Sequence, residues 1–403
     1  MIGGVVRERL HQTRVPVEVY LWSRIGIWLA ALFSLAWFEP KPPPLRHRWD
    51  SPFLHDLGYA TDVWARWDSG WYLRIAEHGY ASHEGTAAFY PLYPGLVGVL
   101  GRVLAGHYLL AGLLISLVAS LVAFVLLHRL AEERLGPDGA LRAVLYLAVF
   151  PMSLFLQAVY AESLFLALAL AAFVLAERGR FLPAAVATGL ALLTRPVGVA
   201  LLPALALLAW RSADRRRALL SLLVAPALFV LYPLLLRQQI HDPWAFARSQ
   251  DLWQRHVSRA GPLGGIWDGL RAGWYGVRQL VSGSGDHVYW PIEGAQPLHA
   301  AAVNLEGLVA LGVFVWLTVV VWRRFGAPYG LFCTLSLALP LSTPAYGWPL
   351  QSLPRFGLVV FPFFLALAWL GGRHARAHVA IVGCSAILLG VFVTQWALWD
   401  WVA

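Results

Sequence analysis

Eleven times over, the chain runs apolar for close to the length a helix needs to cross a lipid bilayer, and this repetition restricts the fold more than any other feature. The segments are 20–38, 108–127, 141–158, 161–177, 182–195, 196–210, 218–236, 300–322, 327–343, 354–371 and 377–398; a full crossing takes roughly 20 residues. Inside hydrocarbon no water is present to pair the backbone, so each crossing has to satisfy its own N–H and C=O groups, as a helix does. The expectation is an all-α polytopic membrane protein with about 11 transmembrane helices. Composition excludes a soluble globule: 59% of the 403 residues are hydrophobic, 13% are charged, and the mean hydropathy is +0.61. The first run is expected to stay as a helix and not to be cleaved as a signal peptide. It is long, holds Arg24, and ends in Trp37-Phe38-Glu39-Pro40 without a small-residue cleavage pattern. One integral membrane domain is expected over residues 1–403.

The net charge of +9 does not point to nucleic acid, because the basic residues sit in short turns between apolar runs. They cluster at Arg7, Arg9 and Arg14; Arg129, Arg134 and Arg142; Arg178 and Arg180; Arg211 and Arg215 to Arg217; Arg323 and Arg324; and Arg373 and Arg376. Placing all of them in the cytoplasm sets a topology with the N-terminus inside and the C-terminus outside, provided 91–103 lies along the interface or re-enters. The outer side then holds the first loop, 39–107, the turns near Tyr160 and Thr194, the long loop 238–299, and 344–355. Those segments carry nearly all the unusual polar residues, so an active site is expected to face the extracytoplasmic surface of a plasma membrane, bacterial in style. No phosphate-binding glycine loop appears in strand-to-helix context. Cys333 and Cys384 fall inside apolar runs and indicate neither a disulfide framework nor a metal site.

The first outer loop is the richest in chemistry. Trp64, Trp67 and Trp71 recur at helical spacing, as do Trp267 and Trp274 further on, which suggests helices lying in the headgroup layer, either as anchors or as walls of a lipid path. Asp68 stands in this aromatic setting, where loss of solvent would make its carboxylate a stronger proton acceptor and suit it to general-base work. It also stands where it can cap a helix over 69–79 that Gly79 ends. Glu77 and His78 follow at nine and ten residues and either share a wall with Asp68 or bind loop backbone. Asp68, Glu77 and His78 fit no zinc or EF-hand spacing, so no metal ligands are assigned, and a divalent-cation requirement is left open. Glu162 and Arg195, near the outer ends of two runs, are expected to have partners. They either pair with one another or leave Arg195 to grip a lipid phosphate. Arg355 is a second phosphate candidate, or a side chain snorkelling to the interface. Asp242, in His241-Asp242-Pro243, either caps a short helix or touches an acceptor.

These stretches resemble the PIG-V mannosyltransferase family. Trp67-Asp68, then Ile75-Ala76-Glu77-His78-Gly79-Tyr80, then Ala88-Phe89-Tyr90-Pro91-Leu92-Tyr93-Pro94 look like its W-D, I-A-x-H-G-Y and A-F-Y-P-x-Y-P blocks in order. Phe150-Pro151 with Tyr160-Ala161-Glu162-Ser163-Leu164-Phe165, and Thr194-Arg195-Pro196-Val197-Gly198, look like two further blocks, so that the similarity runs over roughly 64–200. Beyond it only Asp242-Pro243 and Pro354-Arg355-Phe356 look like parts of bacterial members. The resemblance implies a GT-C-type glycosyltransferase fold. It implies inverting transfer of mannose from a polyprenyl-phosphate donor to a lipid or glycolipid acceptor, with Asp68 as base and Arg195 or Arg355 on the donor phosphate. Trp67, Trp71, Tyr72, Glu77, His78, Tyr90, Glu162 and Asp242 are the substrate-binding candidates. Another lipid-linked sugar remains an alternative, as does a transporter or flippase of a lipid-linked substrate, although neither internal repeats nor mid-bilayer polar residues favour the latter.

Overall fold

The computed structural model describes residues 2–40, 57–81, 85–282 and 297–402, with the side chains of 2–13 and 297 left out. Among the described residues the chain is helical, and its one strand-like feature is an isolated antiparallel bridge between Arg255 and Ala345. The helices used below are α1 (Ile2–Trp37), α2 (Ser69–His78), α3 (Leu92–Val103), α4 (Tyr108–Val149), α5 (Glu162–Glu177), α6 (Phe181–Leu192) and α7 (Leu201–Trp210). After them come α8 (Arg215–Ile240), α9 (Pro262–Ser282), α10 (Pro297–Phe325), α11 (Ala327–Ser342), α12 (Leu353–Leu358), α13 (Pro362–Arg373) and α14 (Ala375–Ala397).

Each apolar run of the sequence contains helix, but five helices are individually long and apolar enough to span: Arg14–Trp37, Tyr108–Val149, Arg215–Ile240, Leu298–Phe325 and Ala375–Ala397. The others are shorter, because the chain turns inside runs that read as continuous. The run 141–158 leaves its helix at Phe150-Pro151, and 354–371 breaks between α12 and α13 at Val359 to Phe361. α4 itself changes direction at Gly136, whose φ of 74° lies in the left-handed region that glycine adopts without steric cost.

α5 is the hub. It packs against α4, α6 and α7, while α13 fits between α4, α10 and α14, and α1 closes the outside against α4 and α14. The core around them is aromatic: Phe173 of α5 meets Tyr329 and Phe332 of α11 and Phe361 before α13, with ring centroids 4.9–5.6 Å apart. Arg24 of α1 is buried and donates to the Ser153 carbonyl at 2.8 Å and to its hydroxyl at 2.7 Å. It thereby fastens the turn after α4, which leads to Tyr160 and Glu162. The two ends of α5 differ in character. Glu177 at its C-terminal end pairs with Arg134, and Arg178 pairs with Glu133 at 2.8 Å, so the basic turns gather there. Glu162 opens the helix at the other end, on the order of 24 Å away at 1.5 Å per residue.

α9 has two faces. Gly265, Gly269 and Gly273 let it lie directly on Leu341, Leu350 and Leu308, and an added Cβ at Gly265 would collide with the Leu341 carbonyl oxygen. Leu263, Trp267, Leu270, Trp274 and Val277 remain exposed on the opposite face, an apolar stripe that agrees with the expected interfacial helix. The expectation for Trp64 and Trp67 is not met. Trp67 has a left-handed backbone (φ 51°) and α2 begins only at Ser69, so these rings leave the helical register of Trp71 and turn inward. Trp64 is fully buried against Trp28, and Trp67 packs on Trp399 and Trp401.

Candidate active site

Five segments far apart in sequence converge at the Glu162 end of α5. Asp68 comes from the start of α2, Glu162 from α5, Arg195 from the turn after α6, Arg255 from the loop before α9, and Arg355 from α12. Arg355 Nη1 donates to Asp68 Oδ2 at 2.7 Å, and its Nε lies 3.3 Å from Glu162 Oε1, which also pairs with Arg195. The result is an alternating chain, Asp68–Arg355–Glu162–Arg195. Glu162 is sealed behind the guanidiniums with 1% of its side chain exposed, whereas Asp68, Arg195 and Arg355 keep 15%, 12% and 11%.

Local backbone aims both members of the central pair. Asp68 stands at the N-cap position of α2, yet its side chain makes no capping bond; the carboxylate is turned to Arg355 instead. The residue before it, Trp67, and the residue that opens α12, Ser352 (φ 63°), are both left-handed without being glycine. Such strain is characteristically held at functional positions. Tyr160 fixes the Asp68 loop from below: its hydroxyl accepts from the Asp68 N–H at 3.0 Å and donates to the Arg66 carbonyl at 3.2 Å. Its ring also lies 5.4 Å from the Arg355 guanidinium. Tyr160→Phe removes both hydrogen bonds and keeps the ring. It is expected to lower turnover about tenfold while costing about 1–3 kcal/mol of stability, as measured by initial rates beside thermal unfolding in detergent.

The family blocks are joined to one another by hydrogen bonds. Tyr80 Oη donates to the Phe89 carbonyl at 2.8 Å, Leu92 N–H to the Leu193 carbonyl at 2.9 Å, and Val159 N–H to the Trp64 carbonyl at 3.0 Å. Gly79 ends α2 with a φ of 81°, as expected.

In front of the charges lies a cavity of about 410 Å³. Asp68, Tyr72, Arg195, Arg255 and Arg355 line its polar side; Phe89, Tyr90, Val197, Phe246 and Leu339 are among its apolar walls. Burial, and next the Glu162 carboxylate, push the Tyr72 phenol up, so it presents an O–H donor. Arg255 was not anticipated from the sequence. Its guanidinium donates to the Thr343 carbonyl at 3.0 Å and the Gln351 carbonyl at 3.2 Å, anchored by backbone pairing of 254–258 with 342–346. Burial first, and the Arg355 charge second, push its pKa down to about 10, still well above neutrality. The three arginines share the Phe356 ring at 5.5–5.8 Å, leaving three positive charges against two carboxylates.

Other candidates fall elsewhere. Glu77 and His78 are exposed on α2 and do not line the cavity, because nine residues make about two and a half turns and carry Glu77 to the face opposite Asp68. Asp242 does not line the cavity and is not the cap of the short helix that follows, which begins at Ala245 with Trp244 before it; its carboxylate accepts from the Trp244 N–H at 3.1 Å, closing a turn two residues long, and pairs with exposed Arg248. Trp71 stacks on Phe89 at 5.5 Å and supports the wall from behind, as Trp67 does through Trp401. Among the described residues no three His, Cys, Asp or Glu side chains gather as a metal-ligand set.

The fold and this arrangement define a polytopic helical membrane protein with a charged cavity at one end of its central helix. Its fold is similar to that of ArnT from Cupriavidus metallidurans bound to undecaprenyl phosphate, with a TM-score of 0.51 and 16% identity over 95% of this chain and 68% of that one. The expected family resemblance is borne out for part of the chain: residues 56–211 match the mannosyltransferase (PIG-V) family. GPI alpha-1,6-mannosyltransferase 2 of Mus musculus is 39% identical over 127 residues, and that of Homo sapiens is 39% identical over 126. Each of these alignments covers 29% of this chain and 25% of the relative, so the chain spans about a quarter of the length of the curated relatives it matches.

Proposed function

We propose that the protein transfers mannose from a polyprenyl-phosphate-linked donor to a hydroxyl of a lipid or glycolipid acceptor at the extracytoplasmic face, with inversion. The observation that carries this reading is the pairing of Asp68 with Arg355 at the mouth of a cavity that gathers three guanidiniums. Guanidiniums suit a phosphate through planar, charge-assisted forks, and the cavity's apolar walls suit the first isoprene units behind it. The acceptor hydroxyl would bond to Asp68 and give it its proton while the oxygen attacks the anomeric carbon. The carbon–oxygen bond to phosphate would break on the opposite side, leaving the electron pair on the phosphate, and inversion follows from that in-line path. Arg355 carries five N–H donors, enough to hold Asp68 and the leaving phosphate together, and Arg195 and Arg255 would share the developing charge. Placement outside the cytoplasm is supported by α5, whose Glu177 end carries the basic turns and whose Glu162 end carries the site.

The donor sugar is tested by supplying membranes containing the protein with polyprenyl-phosphate mannose, glucose or arabinose, each labelled, and separating the lipids. Mannose transfer at least tenfold above the other two is expected. Transfer of another sugar in preference would overturn the mannose assignment and leave the GT-C class intact.

A further inference from the structure

A second cavity, of about 270 Å³, lies beside the first. Trp401 lines both, and Pro354, the neighbour of Arg355, lines the second. Trp401 also packs on Trp67 at 4.7 Å and on Trp348 at 5.7 Å. One indole therefore separates the residue before the candidate base from the second cavity.

The chemistry of the two cavities differs. The first gathers three guanidiniums. The second has no guanidinium in its lining and contains Glu306 and His299 of α10, together with Gln395 and the indoles of Trp348 and Trp401. Glu306 Oε1 and Trp401 Nε1 are buried, and neither has a hydrogen-bond partner among the described residues. A carboxylate within an apolar spanning helix is unfavourable unless it is paired or faces a polar ligand or cavity, and among the described residues no Lys or Arg forms an ion pair with this one. A phosphate would find no guanidinium here and would face Glu306, and an apolar chain would leave Glu306 Oε1 unpaired. A neutral polyhydroxyl ring satisfies both conditions. Its hydroxyls can donate to the carboxylate and accept from the indole N–H, and its C–H faces can lie on the Trp348 and Trp401 rings.

We infer that the second cavity is the acceptor subsite and that it holds a neutral sugar or cyclitol headgroup, with Glu306 and Trp401 as binding residues and Trp348 as the platform. The acceptor role rests on the transferase reading above; the binding itself does not. Glu306 fixes the hydroxyls that are not attacked, and the reacting hydroxyl passes Trp401 to reach Asp68.

The test is photolabelling of the full chain in nanodiscs with an octyl α-mannoside carrying a diazirine, followed by peptide mapping. Label is expected on 298–307 and 348–354. It should fall about tenfold in Glu306→Gln, the loss of a hydrogen bond to a charged group being worth about that factor. It should be retained in Trp348→Phe, lost in Trp348→Ala, and unaffected by excess short-chain polyprenyl phosphate. Label confined to other helices, label indifferent to Glu306→Gln in protein of unchanged gel-filtration profile, or label displaced by polyprenyl phosphate would each overturn the inference. Labelling is read without turnover, so protein that labels as expected yet moves no mannose contradicts the transferase reading and leaves the binding site standing.

Discussion

Asp68→Asn is expected to lower the turnover of mannose transfer by about 10²–10⁴-fold, the usual contribution of a positioned general base, while leaving the donor KM within a few-fold. The amide keeps the shape of the side chain and one acceptor oxygen, so Arg355 retains a hydrogen-bond partner on that side and the Glu162 carboxylate on the other. The Asp68 loop is held by its own backbone through Tyr160 Oη, which the substitution does not touch. Folding and insertion should therefore survive, and thermal unfolding in detergent should show a shift small beside the kinetic loss. A variant with near-normal turnover would remove Asp68 from the reaction and leave it a structural partner of Arg355.

Arg355→Ala should do more damage, and of two kinds. Among the described residues its guanidinium is the ion-pair link between the two carboxylates, so truncation leaves Asp68 without that partner and Glu162 with Arg195. Breaking a buried pair by removing one member costs about 3–5 kcal/mol, which the unfolding curve would register. The donor should also lose a principal phosphate contact, raising its KM by about 10²-fold, since charge-assisted bonds are roughly twice as strong as neutral ones. Arg355→Lys distinguishes the two effects. It restores a positive charge between the carboxylates and much of the stability, but as a point charge it cannot make a forked contact. Stability is therefore expected to recover further than donor KM. Equal recovery of both would argue that Arg355 serves only the fold.

The charges of the site could be read from sequence because they are anomalous where they stand. Glu162, Arg195 and Arg355 interrupt or border apolar runs, where an ionisable group is costly and needs a partner. Composition alone marks them, and the pairing of Glu162 with Arg195 was one of the alternatives it allowed. Arg255 carries no such mark, sitting between Arg248 and Arg259 in a polar loop. What singles it out is backbone pairing with residues some 90 positions later, which local pattern does not encode. Glu77 and His78 show the reverse failure: they are close to Asp68 in sequence and separated from it by the phase of one helix. The tryptophans of the same stretch were misplaced by a single left-handed residue, Trp67, which a spacing of three and four cannot reveal. The eleven apolar runs located the helices but not their ends, since the turns at half-buried Phe150-Pro151 and at buried Val359 to Phe361 are as apolar as the helices they join.

The central claim is that Asp68 and its arginines carry out transfer from a lipid-phosphate sugar. Its most direct test is a single-turnover experiment with labelled polyprenyl-phosphate mannose, using wild type and Asp68→Asn at equal amounts of folded protein and with native lipids as acceptors. Label passing to a new lipid with wild type, and at least 10²-fold more slowly with Asp68→Asn, is the expected result. The same rate of transfer from both proteins, or no transfer from either while the donor stays bound, would contradict it.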